Sequence, residues 1–200
     1  MSKQLVAALA ALTLSVPAVA STWKSDPAHS TATFAAKHMM VSTVRGTLGP
    51  ITSTIELDEK DLTKSKVEAT IDPSKLNSGV EKRDAHLKSP DFFDVAKFPA
   101  VTFKSKKIEK AGEKYKVTGD LTIKDKTKEV VLEATITPEV ANPFSKVATR
   151  GISATGSINR EDFGLTWNMP VGEGVLVSKD IKIELEVEYA KEEGKAPAKK

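Results

Sequence analysis

His29, His38 and His86 are the side chains in this sequence best suited to hold a metal ion, and three imidazoles are enough for zinc. Their spacing counts against it. His29 and His38 are nine residues apart, and in an unbroken strand an odd separation puts two side chains on opposite faces. There is no H-E-x-x-H pair, and no H-x-H pair shares a strand face. There is no cysteine, so neither thiolate chemistry nor a disulfide is available. No G-x-S-x-G elbow marks a serine nucleophile. Asp and Glu fall mostly on alternating polar faces, where a solvated surface accounts for them. Catalytic residues, a metal and a cofactor are therefore not expected.

Two denser groups remain. "RDAH" at 83–86 brings together Arg83, Asp84 and His86. It reads equally as an ion pair on a helix surface or as the polar edge of a ligand entrance. "INREDFGLTWNMP" at 158–170 puts Asn159 and Arg160 after a strand, then Phe163 and Trp167 in a loop before Pro170. Aromatics in such a loop close one end of a barrel, as a lid or as a plug. A third stretch, "SPDFFDVAKFPAVTFKS" from Ser89 to Ser105, holds Phe92, Phe93, Phe98 and Phe103, four of the chain's seven phenylalanines. Pro90 and Pro99 interrupt it. These rings either plug a core or line the mouth of a hole.

The elements that must place these side chains repeat with a period of two. In "DIKIELEVEY" (180–189), Ile181, Ile183, Leu185, Val187 and Tyr189 share one face, and Lys182 and three glutamates share the other. "KYKVTGDLTI" (114–123) and "KEVVLEATIT" (128–137) repeat the pattern around the polar turn "KDKT" and read as a hairpin. Further strands are expected at 31–38, 47–57, 66–72, 100–109 and 151–159, with Pro50 marking a bulge or an edge. Eight strands, each with one wet face, imply an antiparallel up-and-down barrel or a sandwich. One helix is expected within 77–89, between the third and fourth strands. Asn77 or Ser78 would cap it, and it must stop before Pro90. Ser89 and Pro90 then resemble the cap and first position of another short turn, "PDFFDV".

The inward faces carry many small residues: Ala69, Gly119, Ala134, Ala154 and Gly156, with Ala32 and Ala36 joining them if Phe34 points in. An eight-stranded barrel is wide enough to be filled by side chains or to hold one small ligand. Such a lining fills it poorly, and voids cost stability. Either the barrel is flattened, or something apolar occupies the interior, or large residues on facing strands interdigitate with the small ones.

Composition sets the remaining bounds. Lys3, an apolar run from Leu5 to Val16, Pro17 and "AVA" before Ser21 read as a secretory leader cut after Ala20. Residues 21–190 are expected to form one domain, and 191–200 a disordered Lys-rich tail. With 30 Lys and Arg against 27 Asp and Glu there is no basic block, so nucleic acid is not an expected partner. No second long apolar run is present, so a membrane-spanning chain is not expected either.

"DPAHSTATFAAKHMMVSTVRG", "RDAHLKSPDFFDVAKFPAVTF", "GDLTIKDKTKEVVLEATI", "INREDFGLTW" and "VSKDIKIELEVE", in that order, resemble the YceI-like family from Asp26 to about Glu188. The resemblance implies an extended lipocalin-like antiparallel barrel that is exported and binds a polyisoprenoid or other long-chain amphiphile. Family members are often dimers, which leaves a homodimer open. The family's motif positions correspond here to Arg83, Asp84, His86, Leu87, residues 91–94 and His38. Asp125 stands where the family commonly has Gly, and Met39 and Met40 where Leu-Gly is common. The combined expectation is a periplasmic, non-enzymatic carrier of an isoprenoid or quinone-like lipid. Phe34, His38, Met40, Arg83, His86, Phe92, Phe93, Phe98, Phe103, Leu121, Phe163 and Trp167 would contact the ligand. The alternatives are a lipid-modifying enzyme and a filled barrel that acts in stress response through protein–protein contacts.

Overall fold

The computed structural model describes residues 20–192. The expected leader lies outside the described residues except for Ala20, and so does the tail from residue 193 on. The strands are β1 (Ser21–Ser25), β2 (Thr31–His38), β3 (Ser42–Gly49), β4 (Ile51–Leu57) and β5 (Lys66–Ile71). After helix α1 (Glu81–Lys88) come β6 (Val101–Ala111), β7 (Lys114–Ile123), β8 (Lys126–Ile136), β9 (Val140–Ala141) and β10 (Ala148–Asn159). The small ribbon of β11 (Pro170–Val171) and β12 (Gly174–Val175) precedes the long last strand, β13 (Val177–Lys191).

These strands close into an eight-stranded antiparallel barrel. β1 and β2 are two halves of one stave, parted by a 3₁₀ turn at Pro27–His29, and both pair with β13. β3 and β4 are the halves of the next stave, which bends at Pro50; β3 pairs with β2, and β4 with β1. From there β5, β6, β7, β8 and β10 follow as nearest neighbours, and β13 closes the ring on β10 from Thr149↔Ala190 to Asn159↔Asp180. Closure removes most of the free edge that is the standing hazard of an open sheet; β3 pairs with β2 on one side and meets the connection after β5 through the single bridge Thr47↔Asn77.

Three expectations need correction. The run at 47–57 is not one strand. Proline cannot donate to the ladder, and the backbone beside Pro50 bends, with Gly49 at φ 122° against the Asp72 carbonyl. β1 was not anticipated at all. It carries one deeply buried side chain, Trp23, held between Ile55 and Lys191 in the register. The short turn expected after α1 is present. The Ser89 carbonyl accepts from Phe92 N (3.0 Å) and Asp94 N (2.9 Å), a pair of tight turns with Asp94 at φ 50°. β13 also runs to Lys191, one residue into the expected tail.

The two ends of the barrel differ. β13 leads from Val177 to Lys191. At the Lys191 end Trp23 forms the floor, with the Arg150 guanidinium 5.1 Å and the Lys191 ammonium 5.3 Å from its ring. Glu59 holds both cations, at 3.0 Å and 3.5 Å. At the Val177 end the long connection from β5 to β6 folds over as a roof. α1 has no fully buried residue and lacks a side-chain N-cap. It is fixed instead from behind: the Asp84 carboxylate accepts from Ser78 N (2.8 Å), and the Arg83 Nε donates to Ser78 Oγ (2.7 Å).

Candidate functional site

The barrel interior is not filled. About 190 Å³ remains that the centre of a water-sized sphere can occupy. One water needs only about 10–15 Å³ on this measure, and an apolar cavity of about 150 Å³ stays dry and accepts small hydrocarbons. Every side chain on the wall is apolar except Ser53, Thr102, Arg160 and Tyr189. The staves supply it by alternation: Ile181, Ile183, Leu185, Val187 and Tyr189 of β13 all face in. Small residues keep the space open. Ala134 and Ala154 lie side by side across β8 and β10, and Ala69 lies opposite Phe103. Glycine at 119 is required, because a Cβ there would sit 2.4 Å from the Phe103 ring and 2.6 Å from the Lys104 carbonyl.

The roof is built by aperiodic segments. Pro73 and Leu76 come from a 3₁₀ turn whose first N–H groups are met by Asp72, which accepts from Ser74 N at 2.9 Å. Leu87 comes from α1, Phe92 and Phe93 from the turns after it, and Leu165 from the loop after β10. Phe92 is braced from outside. The His86 ring meets it edge-on at 5.1 Å and meets Trp167 edge-on at 4.6 Å, while Phe92 and Trp167 lie 5.5 Å apart. Asp91 fixes the His86 ring through Nε2, at 2.9 Å.

Polar groups on the wall differ in how fully they are satisfied. Tyr189 donates to Ser53 Oγ at 2.8 Å, and Ser53 donates to the Glu68 carbonyl at 2.8 Å. Burial pushes the Tyr189 phenol up to about 12, so it stays protonated and is no base at neutral pH. Ser53 is thus no nucleophile of the activated kind, because no group is placed to take its proton. Arg160 is the one charged side chain on the wall, 3% exposed. Its Nε donates to the Ser178 carbonyl (2.9 Å), one terminal nitrogen to the Leu165 carbonyl and the other to that of Val177 (3.4 Å). Burial lowers its pKa, though an arginine stays charged.

The sequence matches the YceI-like domain over residues 23–189. The chain belongs to the YceI-like family. A UPF0312 protein of Staphylococcus aureus is 39% identical over 166 residues, covering 82% of this chain and 95% of the relative. Among solved structures, BcnA of Burkholderia cenocepacia superposes with a TM-score of 0.70 at 25% identity, over 82% of this chain and 98% of its own. A polyisoprenoid binding domain from Saccharophagus degradans superposes with a TM-score of 0.58 at 11% identity, over 85% of this chain and 98% of its own, a likeness of fold.

Within this YceI-like barrel, five of the residues expected at the ligand stand on the wall: Phe34, Phe92, Phe93, Phe103 and Leu121. The others do not. Phe163 is buried, 2% exposed, but packs in the core behind the wall. His86 and Trp167 sit outside Phe92 as its brace. Arg83 is consumed by Ser78, through both Oγ and the carbonyl. Phe98 lies outside the cavity with Lys97 Nζ 5.1 Å from its ring. His38 ends β2, opposite Ser42 and Val177. Met40 is 61% exposed in the β2–β3 turn, where both methionines have left-handed backbones.

His29 was placed on the β2 strand by the spacing argument, but it lies in the 3₁₀ turn before β2, so strand parity does not apply to it. There it joins Asp26 and Glu188, whose ligand atoms with its own lie within 4.8 Å of one another on the surface. Its Nδ1 is already 2.8 Å from the Asp26 carboxylate, and this bond raises its pKa. Sequence reasoning missed Arg160, Tyr189 with Ser53, and the roof residues Pro73, Leu76 and Leu165 as parts of the site. For Tyr189 the alternation of 180–189 already placed the ring inward; for the roof and Arg160 the available signal was the Asp or Asn that opens each 3₁₀ turn.

Proposed function

We propose that this chain binds a long-chain amphiphile with its apolar tail inside the barrel, and that the tail is a polyisoprenoid or quinone-like chain. The closed interior, dry-walled and unfilled, is the observation that carries this reading. Removing apolar ligand surface from water stabilises the complex by about 2.5 kcal/mol per 100 Å², so a tail needs no reacting group to be held. The fold likeness to a polyisoprenoid binding domain and membership of the YceI-like family agree with it. We read the protein as a binder rather than an enzyme, since the wall offers no pair of groups arranged to move a proton. Its place of work, on this proposal, is the periplasm, reached through the leader read at residues 1–20.

Native mass spectrometry of protein purified without added lipid tests the reading. A bound species of long-chain lipid mass, released on denaturation, is the expected result. Delipidated protein should then regain thermal stability on addition of a polyprenol. No bound species and no thermal shift with any long-chain lipid would refute it.

A further inference from the structure

Arg160 is out of place in this cavity. Charged side chains are almost never fully buried unless paired. Among the described residues no carboxylate forms an ion pair with it; its neighbour Glu161 pairs instead with Lys179, at 3.0 Å. A guanidinium carries five N–H groups. Three of them reach backbone carbonyls, those of Leu165, Val177 and Ser178, which leaves two without a protein acceptor; the Glu161 carboxylate acts on the charge through space but does not pair with it. The side chain is fixed in place by those carbonyls, at the roofed end of a hole whose wall is otherwise apolar but for Ser53, Thr102 and Tyr189. The other polar pair on the wall is closed to a ligand, because each hydroxyl proton of Tyr189 and Ser53 is already given away. His38, Arg83 and His86 stand off the wall.

We propose that Arg160 is the head-group site of this barrel, and that its ligand carries an oxyanion, a phosphate or a carboxylate, on the long tail. The inference rests on the lipid-binding reading above and narrows it. Two parallel N–H bonds from a guanidinium fork to an oxyanion are the strong, planar arrangement arginine makes better than lysine. The ion would supply a counter-charge in direct contact, and the tail would run from Arg160 toward Trp23. A neutral alcohol or a hydrocarbon would leave the guanidinium without a directly bonded anion.

Affinities of delipidated full-length mature protein are measured for one C20 tail with four ends: geranylgeranyl monophosphate, geranylgeranoic acid, geranylgeraniol and the saturated hydrocarbon. The wild type should bind at least one acid more than about tenfold tighter than the alcohol, a gap of about 1.4 kcal/mol. The better acid names the head group. In Arg160→Gln the acid-to-alcohol ratio should fall to near one, and Arg160→Lys should keep part of it. If Arg160→Gln does not fold, the wild-type ratio decides alone, together with the Arg160 Nε–H resonance. That resonance should move on adding the preferred acid and stay with the alcohol. Equal wild-type affinities for acids and alcohol would overturn the head-group site and leave tail binding intact. So would a ratio unchanged in Arg160→Gln. Failure of all four to bind would overturn both readings.

Discussion

Filling the barrel should move the free and the loaded protein in opposite directions. Ala154 on β10 faces Ala134 across β8 and Leu185 across β13, and both alanines form part of the cavity wall. Ala154→Leu adds three carbons to a side chain that lines the unfilled interior. At about 0.8 kcal/mol per buried CH₂ the gain is at most about 2.4 kcal/mol. Rotamer strain takes some of this back, and the cavity's 190 Å³ leaves room to relax. A net gain of about 1–2 kcal/mol corresponds to a rise in Tm of about 2–8 °C for a domain of this size. The same leucine occupies the space a tail needs. Lipid at a hundredfold excess over Kd adds about 2.7 kcal/mol to the wild type and should add far less to the variant. The assay is calorimetric melting of delipidated and lipid-loaded protein, wild type and Ala154→Leu. The expected result is a crossing: the variant melts higher without lipid and lower with it. A variant about 1–3 kcal/mol less stable without lipid, the cost of overpacking a full core, would mean the interior is already occupied by protein. An unchanged lipid shift would mean the lipid binds elsewhere.

Further outcomes follow from single contacts. Gly119→Ala should lose about 1–3 kcal/mol in urea unfolding, because the Lys104 carbonyl 2.6 Å from the new Cβ is backbone and cannot swing away as the Phe103 ring can; an unchanged midpoint would refute the close approach of β6 and β7. Tyr189→Phe should cost about 0.5–1.5 kcal/mol at neutral pH, the worth of a net hydrogen bond. Its phenol titrates near 10 when unfolded and at about 12 when folded, so the folded state keeps its proton longer. The wild type therefore loses about 2 kcal/mol as pH rises from 10 to 12, a limb that should be missing from a Tyr189→Phe stability profile over the same range. Amino-terminal sequencing of the periplasmic fraction should begin at Ser21; a mature chain that retains Leu5 to Val16 would refute export by a cleaved leader.

The staves were legible because burial on one side of a strand imposes a period of two. The five inward residues of β13, from Ile181 to Tyr189, were read from alternation alone, and each is on the wall. Leu121, Phe34 and Phe103 follow the same rule. Where the rule fails, there was no repeat to read. β1 offers one buried side chain in five residues, too few for a period. β3 is half-exposed along its length, with Gly46 tucked against Asn77 and Ser78, so its sequence does not alternate. Residue type misled where period was absent. Phe98 was chosen with the Phe cluster and Met40 as a flexible side chain near the barrel mouth, and neither lies on the cavity wall.

The two halves of the site are written differently in the chain, and the difference has a physical origin. The part that holds a tail is strand, where each inward position only has to be apolar and small or large in the right order. Its information is spread over many residues, and the hydrophobic effect is non-directional, so no single wall residue has to be identified for the reading to hold. The roofed end consists of turns, where one hydrogen bond decides where a side chain goes. Arg160 is inward because Asn159 accepts from Glu161 N at 3.0 Å, and because Gly164, at φ 78°, lets the chain return so that the Leu165 carbonyl meets the guanidinium. Charge alone argues for the surface at position 160, and only the turn argues against it. On the proposal above, a head group is recognised by the part of the chain that sequence pattern describes least. Changes to the strands should alter how much tail is bound, and changes to the segments at 72–98 and 160–176 should alter which head is accepted.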